Sequence, residues 1–362
     1  MNEPERSNPE KAPRVLIAGG GTGGHAIPAL CVADSLRVLG ATVEFVGAES
    51  GIERDLVPQA GFKLHSLPLK GLAGNPIDRM RAGLLFLKAL SRCRSILKEF
   101  RPGAVLGVGG YASAPAVIVA NTLKIPTFLH EQNSIPGRVN RFASRLTDEV
   151  LVTFPAAMDH LKDATWVGMP TREEFFGRSK EEAIKELGLE PPVVLIFGGS
   201  GGALKINLAA EEAFGEEKSY KVVQIAGRRD FARLSTQNPR HVTLEYVNDI
   251  WRYLAAAEVV VIRSGAGSLF DTAAAKRAAI LIPFPYATGD HQLHNARYFT
   301  EKAAGELMLD SEVTAHSLRE RIENLLNNDE RREKLAAGMG ELATPNAAAE
   351  VAGRLLAAAK KE

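Results

Sequence analysis

The sequence predicts an α/β protein of two doubly wound, Rossmann-like domains facing a cleft. Three observations carry that expectation. Short β-branched runs alternate with longer segments of helical period, the order that gives parallel sheets covered by helices. The alternation breaks at a proline-bearing stretch, "TWVGMPTREEFF", and then restarts. The opening strand and turn of each half are alike: "RVLIAGGGTGG" (14–24) aligns with "VVLIFGGSGGA" (193–203) at an offset of 179 residues, Leu16 on Leu195.

Taken in order, residues 1–13 are charged and carry no apolar run, so they read as a disordered tail and not a signal peptide. Strands are expected at 14–19, 42–47, 104–110, 126–132 and 149–154, forming a first domain over 14–166. The hinge is expected at 164–170. A second set, at 193–199, 221–227, 258–265 and 278–285, forms a domain over 167–343. The last segment, 344–362, holds the helix "NAAAEVAGRLLAAAKK", a candidate to pack back on the first domain.

The 362 residues suffice for two ordinary cores, and 45% hydrophobic with 24% charged residues is the balance of a soluble globular protein. A net charge of +1 gives no global field toward nucleic acid, so affinity for an anionic surface needs a local patch. Cys31 and Cys93 stand far apart, which argues against a disulfide framework or a zinc site and fits a reducing cytosol. No stretch approaches the ~18 apolar residues of a membrane span.

The turn at 19–24 has five glycines in six residues, followed by His25. Such a turn between strand and helix lets a phosphate approach backbone N–H groups at the positive end of a helix. Gly19, Gly21 and Gly24 also satisfy the dinucleotide spacing. The acidic residue that would then hold a ribose is missing, because the second strand ends in Val46-Gly47. A tight turn without a ligand is the plain alternative. The second turn, 198–202, adds the Ser200 hydroxyl and is the better diphosphate cradle. In a third segment, "RSGAGSLFDTAAAK", Ala266, Gly267 and Ser268 are expected to begin a helix with Asp271 on its first turn. Asp271 then either compensates the helix dipole or accepts from sugar hydroxyls.

Together "GGGTGGHAIPA", "GVGGYASAPAVIVA", "HEQNSIPGRVNR", "VGMPTR", "FGGSGGALKIN" and "RSGAGSLFDTAAA…DHQLHNA" resemble, in order over about 14–300, the motif series of the MurG family. These are peptidoglycan N-acetylglucosaminyltransferases converting lipid I to lipid II. The resemblance implies a GT-B fold, with UDP-N-acetylglucosamine held by the C-terminal domain. The lipid-linked acceptor, an undecaprenyl-pyrophosphoryl-MurNAc-peptide, goes to the N-terminal one. It implies inversion at the anomeric centre, a β-1,4 bond and no cofactor or catalytic metal, and the chain has no Asp-x-Asp pair. It further implies a peripheral protein at the cytoplasmic face of the plasma membrane. No nucleic acid is expected, and cell-wall synthesis proteins are candidate partners.

Carried over by motif, Thr22, Gly23 and Gly24 match the first donor-contacting loop, Asn133 the asparagine of "HEQN", and Arg172 the arginine after the interdomain Gly-x-Pro. Ser200 matches the diphosphate serine and Val247 the residue whose backbone reads the uracil edge. Ala266, Gly267, Ser268, Leu269, Phe270 and Asp271 match the phosphate-and-ribose segment, and Gln292 the glutamine contacting sugar hydroxyls. Asp271 replaces the glutamate the resemblance leads one to expect, and His291 stands where some members have a first glutamine.

The acceptor hydroxyl must lose a proton as it attacks, and an imidazole suits a base at cytosolic pH. His25 is therefore the candidate base, unless it only caps the helix or positions phosphate. Glu131, ending a strand at the ligand-binding edge, is the rival. His130 beside it reads as structural. Tyr111 is either an acceptor contact or a packed tyrosine. In the segment 77–100, Met80, Leu84 and Leu87 share one helical stripe, and Arg81, Lys88 and Arg92 cluster on another next to Leu85, with Phe86 off the main stripe. Either it is a core helix with a solvated basic face or an interfacial helix on anionic lipid, and a lipid-linked acceptor favours the second. Other assignments are another two-domain UDP-sugar enzyme, such as a UDP-N-acetylglucosamine 2-epimerase, or a non-catalytic nucleotide-binding module.

Overall fold

The computed structural model describes residues 12–69, 76–199, 201–216, 218–235 and 238–360. Most of the expected tail, residues 1–11, and the Ser200 of the second glycine turn lie outside the described residues. The chain divides into two compact units, one of Met1–Pro170 with Asn346–Glu362, the other of Thr171–Pro345.

In the first unit the strands are β1 (Arg14–Ala18), β2 (Thr42–Ala48), β3 (Lys63–Leu67), β4 (Ala104–Gly107), β5 (Thr127–Glu131), β6 (Glu149–Val152) and β7 (Ala164–Trp166). Its helices are α1 (Gly23–Val38), α2 (Glu53–Gln59), α3 (Pro76–Phe100), α4 (Ser113–Thr122) and α5 (Arg138–Ala143). The described strands form one parallel sheet in the order β3-β2-β1-β4-β5-β6-β7.

Strand period two explains both faces of this sheet. Val15 and Ile17 of β1 point into a core with Val32 and Leu36 of α1. Leu16 and Ala18 point the other way, against Ala89, Cys93 and Leu97 of α3 and Ala116 and Ala120 of α4. Leu16 and Ile17 are fully buried, each worth about 1.5–3 kcal/mol over an exposed side chain.

The second unit holds β8 (Val193–Phe197), β9 (Lys221–Ile225), β10 (His241–Leu244), β11 (Val259–Arg263), β12 (Ala278–Ile282) and β13 (Glu306–Leu307). Between and after them come α6 (Lys180–Leu187), α7 (Leu204–Ala213), α8 (Ile250–Ala256), α9 (Ala266–Ala274), α10 (His291–Thr300), α11 (Ala315–Leu326) and α12 (Asp329–Leu342). The sheet order is β10-β9-β8-β11-β12-β13, again parallel throughout. Val194, Ile196, Val259 and Val261 pack against Ile206 and Ala210 of α7 and Leu318, Ile322 and Leu325 of α11.

The chain crosses into the second unit after Pro170 and returns at Asn346, so α13 (Ala347–Ala359) belongs to the first. Val351, Ala352, Leu355 and Leu356 complete the core beneath β1 and α1. Gly103, just before β4, meets this helix closely: a β-carbon there would stand 2.7 Å from the Ala359 carbonyl oxygen.

In each sheet the strand order reverses beside the first strand of the unit, between β1 and β4 and between β8 and β11. Open α/β sheets bind ligands outside the carboxyl ends of strands at such a reversal. The glycine turns of the sequence follow β1, β4, β8 and β11, and so border these two places.

Candidate active site

At the first reversal, two glycine turns pack on each other. Gly20 N–H donates to the Gly109 carbonyl at 3.3 Å, and a β-carbon on Gly110 would stand 2.3 Å from the Gly20 carbonyl oxygen. Gly19 and Gly20 have φ of +145° and +142°, a region open to glycine and strained for other residues. Their lack of side chains is therefore consumed by the protein itself. On the other side lies Glu53, the first residue of α2, almost wholly buried. Its carboxylate accepts from Gly21 N–H at 2.7 Å and Ala48 N–H at 2.8 Å. Sequence reasoning missed Glu53; the signal was a lone acidic residue among glycines, in "GAESGIERD". The glycines left facing solvent are Gly21 and Gly24, with exposed Thr22 as the N-cap of α1 and Gly23 half-buried.

His25 follows in the first turn of α1, half-buried, with Gly109 beneath its ring: a β-carbon there would lie 3.0 Å from His25 Cε1. His25 Nδ1 is 2.7 Å from Gln132 Oε1. The Gln132 amide nitrogen lies 3.0 Å from His130 Nδ1 and 3.1 Å from the His130 carbonyl. His130 Nε2 in turn is 3.2 Å from the Gly168 carbonyl. Complete burial pushes the His130 imidazole down to about 4, so it is neutral at neutral pH. Gln132, buried on β5's continuation, was the unassigned member of "HEQN".

Glu131, the expected rival base, is a buried clamp. One carboxylate oxygen accepts from Asn133 N–H at 2.9 Å and Asn133 Nδ2 at 3.4 Å. The other accepts from Asn140 Nδ2 at 2.8 Å and Gly137 N–H at 3.2 Å. With both oxygens so occupied and 1% exposure, it holds the 132–137 loop and has no free lone pair aimed at solvent. Asn133 is thereby fixed, half-buried, at the loop's start. Tyr111, between Gly110 and α4, is 50% exposed, which removes the packed-tyrosine alternative.

In the second unit, Arg172 stands before a short 3-10 turn, Glu173–Phe175. Its guanidinium carbon lies 4.9 Å from the ring centroids of both Phe175 and Trp251, a double cation–π contact the sequence did not reveal. α9 begins at Ala266 with Gly265 as N-cap. Asp271 is the sixth residue of that helix, beyond its first turn, which corrects the dipole-compensating alternative. Desolvation pushes its carboxyl up to about 7, opposed by the Arg172 charge.

Leu269 and Phe270, expected among the donor contacts, turn their side chains inward. Both are buried, Phe270 edge-on to Phe299 at 5.4 Å, and Leu269 N–H already donates to the Gly265 carbonyl. Apolar side chains on the sheet-facing stripe of a helix cannot also face a polar ligand. Gly267 and Ser268 remain half-exposed beside them, while Ala266 is buried. Gln292, in the first turn of α10, accepts from Phe284 N–H at 2.9 Å through Oε1, which leaves its NH2 group to donate. Val247 lies half-buried in the loop between β10 and α8. Arg263, at the end of β11, ties that edge together by donating to the Pro283 carbonyl at 3.0 Å and pairing with Asp310 at 2.6 Å.

Helix α3 departs from both sequence alternatives in its faces. Its buried stripe is Ala82, Ala89, Cys93, Ile96 and Phe100, with Phe86 packed half-buried against the same core and Leu85 half-buried. Met80, Leu84 and Leu87 are 64%, 57% and 62% exposed. The apolar residues offered to the outside are thus these three and not Leu85 and Phe86. Arg81, Lys88 and Arg92 are exposed alongside. No described helix is long and apolar enough to cross a membrane.

A hollow of about 720 Å³ lined by Arg141, Arg145, Asp148 and His160 lies near the amino ends of β6 and β7, the edge opposite to His25. It is therefore no rival to the site at the strands' carboxyl ends.

Known proteins match along nearly the whole chain. The glycosyltransferase family 28 N-terminal domain matches residues 15–152 and its C-terminal domain residues 193–351. A Rubrobacter xylanophilus protein, named UDP-N-acetylglucosamine--N-acetylmuramyl-(pentapeptide) pyrophosphoryl-undecaprenol N-acetylglucosamine transferase, is 62% identical over 91% of this chain and 99% of its own. Among solved structures, the MurG of Acinetobacter baumannii aligns with a TM-score of 0.75 at 26% identity, covering 95% of this chain and 99% of that one. A putative UDP-N-acetylglucosamine 2-epimerase of Listeria monocytogenes aligns with a TM-score of 0.70 over 94% of this chain and 95% of that one, and at 13% identity shares the fold alone.

Proposed function

The chain belongs to glycosyltransferase family 28, and from that premise we propose that it transfers N-acetylglucosamine from UDP-N-acetylglucosamine to the 4-hydroxyl of the muramoyl sugar of lipid I. The product is lipid II, a precursor of peptidoglycan. The observation that carries this reading is the 62% identity to a transferase so named, over 99% of that protein.

The chemistry follows from the residues. The acceptor oxygen attacks the anomeric carbon, the bond from that carbon to the UDP oxygen breaks, and UDP leaves with the electron pair. The acceptor proton passes to the His25 imidazole, and Glu131 serves as the clamp of the neighbouring loop. Thr22, Gly23 and Gly24 offer backbone N–H groups at the positive end of α1. In the second unit Arg172, braced by two rings, supplies positive charge for the diphosphate, with Gly267, Ser268 and Ser200 as further donors. Asp271 accepts from ribose hydroxyls, the Val247 backbone reads the uracil edge, and the Gln292 NH2 group donates to the sugar.

The acceptor's lipid anchor brings the protein to an anionic membrane surface, where it sits peripherally on the cytoplasmic face. Exposed Met80, Leu84 and Leu87, flanked by Arg81, Lys88 and Arg92, support docking through α3. Tyr111 is the accompanying acceptor contact.

The test is UDP release from UDP-N-acetylglucosamine with and without a soluble lipid I analogue. Release that requires the analogue and yields a disaccharide supports the transferase reading. Equal release without acceptor overturns it in favour of an epimerase-like or hydrolytic enzyme.

A further inference from the structure

We propose that Gln132 and His130 are positioning residues that hold the His25 ring in its Nδ1–H tautomer, and so make Nε2 the atom that receives the acceptor proton. The proposal rests on the reading of His25 as the base and names the device that aims it.

A backbone carbonyl can only accept. The Gly168 carbonyl faces His130 Nε2 at 3.2 Å, so that nitrogen carries the proton. A neutral His130 then has a lone pair on Nδ1, and burial keeps it neutral down to about pH 4. Facing that lone pair, at 3.0 Å, is one end of the Gln132 amide, which also sits 3.1 Å from the His130 carbonyl. Two acceptors at one end require the NH2 group there, so the amide cannot be flipped. The other end must be Oε1, and it stands 2.7 Å from His25 Nδ1. An oxygen acceptor at hydrogen-bond distance requires His25 Nδ1 to donate. The neutral His25 ring then keeps its lone pair on Nε2.

Every link is short and three of the four groups are buried, so reversing the polarity would set lone pair against lone pair at the Gly168 and His130 carbonyls. The anchor is itself fixed: Gly168 N–H donates to the Val152 carbonyl at 3.3 Å, and its carbonyl also accepts from the buried Thr153 hydroxyl at 3.3 Å. A chain of neutral groups thus does what a buried carboxylate does in other base-orienting arrangements, without adding charge beside His25.

The experiment uses the full-length protein labelled with ¹⁵N histidine and multiple-bond proton–nitrogen spectra at neutral pH, the His25 signals assigned by their loss in His25→Asn. The expected wild-type result is a proton on Nδ1 and none on Nε2. In Gln132→Leu the ring should shift toward the Nε2–H form, with kcat down on the order of 10–100-fold and the KM for UDP-N-acetylglucosamine little changed. Gln132→Glu keeps an acceptor toward His25 and adds charge, while its second oxygen forfeits the bond to the His130 carbonyl. It should recover part of kcat and move the acidic limb of the kcat/KM profile to higher pH. A wild-type His25 carrying its proton on Nε2 overturns the proposal, and this spectrum needs no variant. So does a Gln132→Leu protein with unchanged tautomer and kcat. A fully active His25→Ala protein instead overturns the reading of His25 as base, while a wild-type proton on Nδ1 would leave the tautomer assignment standing.

Discussion

Glu53 fills the space that Gly20 leaves. A β-carbon on Gly20 would stand 2.2 Å from the Glu53 carboxyl carbon, and the same carboxylate crowds Gly47 and Gly51. A buried acid whose two oxygens accept from Gly21 and Ala48 shapes the turn before His25. The glycine turn is thus partly a socket for the protein's own carboxylate, and only its far end, Gly21 to Gly24, is presented outward.

Gly20→Ala should accordingly destabilise the first unit by about 1–3 kcal/mol through overpacking, with added backbone strain at φ +142°. Glu53→Gln keeps the shape but turns an NH2 group toward a backbone donor, for a loss of about 1–3 kcal/mol. Urea unfolding followed by circular dichroism reads both, and a midpoint equal to wild type for Gly20→Ala would contradict this packing.

Asp271 gives a pH dependence with a definite sign. Its carboxyl is raised from 3.8 to about 7. The folded protein therefore holds that proton more tightly than the unfolded chain. The stabilising share from this group is complete below about pH 4 and is lost as pH rises through about 7. A carboxyl accepts from hydroxyls more strongly once ionised, so affinity for UDP-N-acetylglucosamine should strengthen as pH rises through about 7. Calorimetric titration over that range checks it. Asp271→Asn should flatten the dependence, and a wild-type affinity independent of pH would count against the carboxylate's role.

Trp251→Ala removes one of the two rings against the Arg172 guanidinium. Cation–π contacts are worth about 0.5–2 kcal/mol, which corresponds to UDP-N-acetylglucosamine binding weaker by about 2- to 30-fold. Arg172→Lys should lose at least as much, because an ammonium cannot stack between two rings as a flat guanidinium does. Dissociation constants for the UDP-sugar measure both.

Leu84→Glu combined with Leu87→Glu should abolish sedimentation with vesicles containing anionic lipid while leaving turnover of a soluble acceptor analogue unchanged. Burying each leucine is worth about 1.5–3 kcal/mol, so losing two lowers the partition constant by on the order of 10²-fold or more. Lys88→Glu should mainly reduce the salt-sensitive part, about 1 kcal/mol per basic residue. Vesicle binding undiminished in the double variant would place membrane contact elsewhere.

The strands that the sequence did not announce share one property. β3 and β7 are the edges of the first sheet, β10 and β13 the edges of the second. An inner strand of a parallel sheet is buried on both faces and reads as an apolar run, like the fully buried "VVLIF" of β8. The edge strand "KLHSL" of β3 is half-wet and carries no such run. Within the site, the glycine turns and the "HEQN" motif were legible because they are local in sequence. Contacts between segments were not: Glu53 reaches Gly21 from another helix, and Trp251 reaches Arg172 from α8. Helix faces were legible only in period. The stripe of Met80, Leu84 and Leu87 was seen, but which stripe turns inward depends on the alanines and Cys93 that pack closely on β1 and β4.

The return of α13 to the first unit bears on how the protein is made. Val351, Ala352, Leu355 and Leu356 belong to the core that seals β1 and α1. A ribosome delivers β1 well before these four residues, with the whole of Thr171–Pro345 in between. The second unit is thus a contiguous stretch that can complete its own core during synthesis, whereas the unit bearing His25 waits for the final helix. Emergence of α13 is the moment at which the core behind β1 and α1 can close.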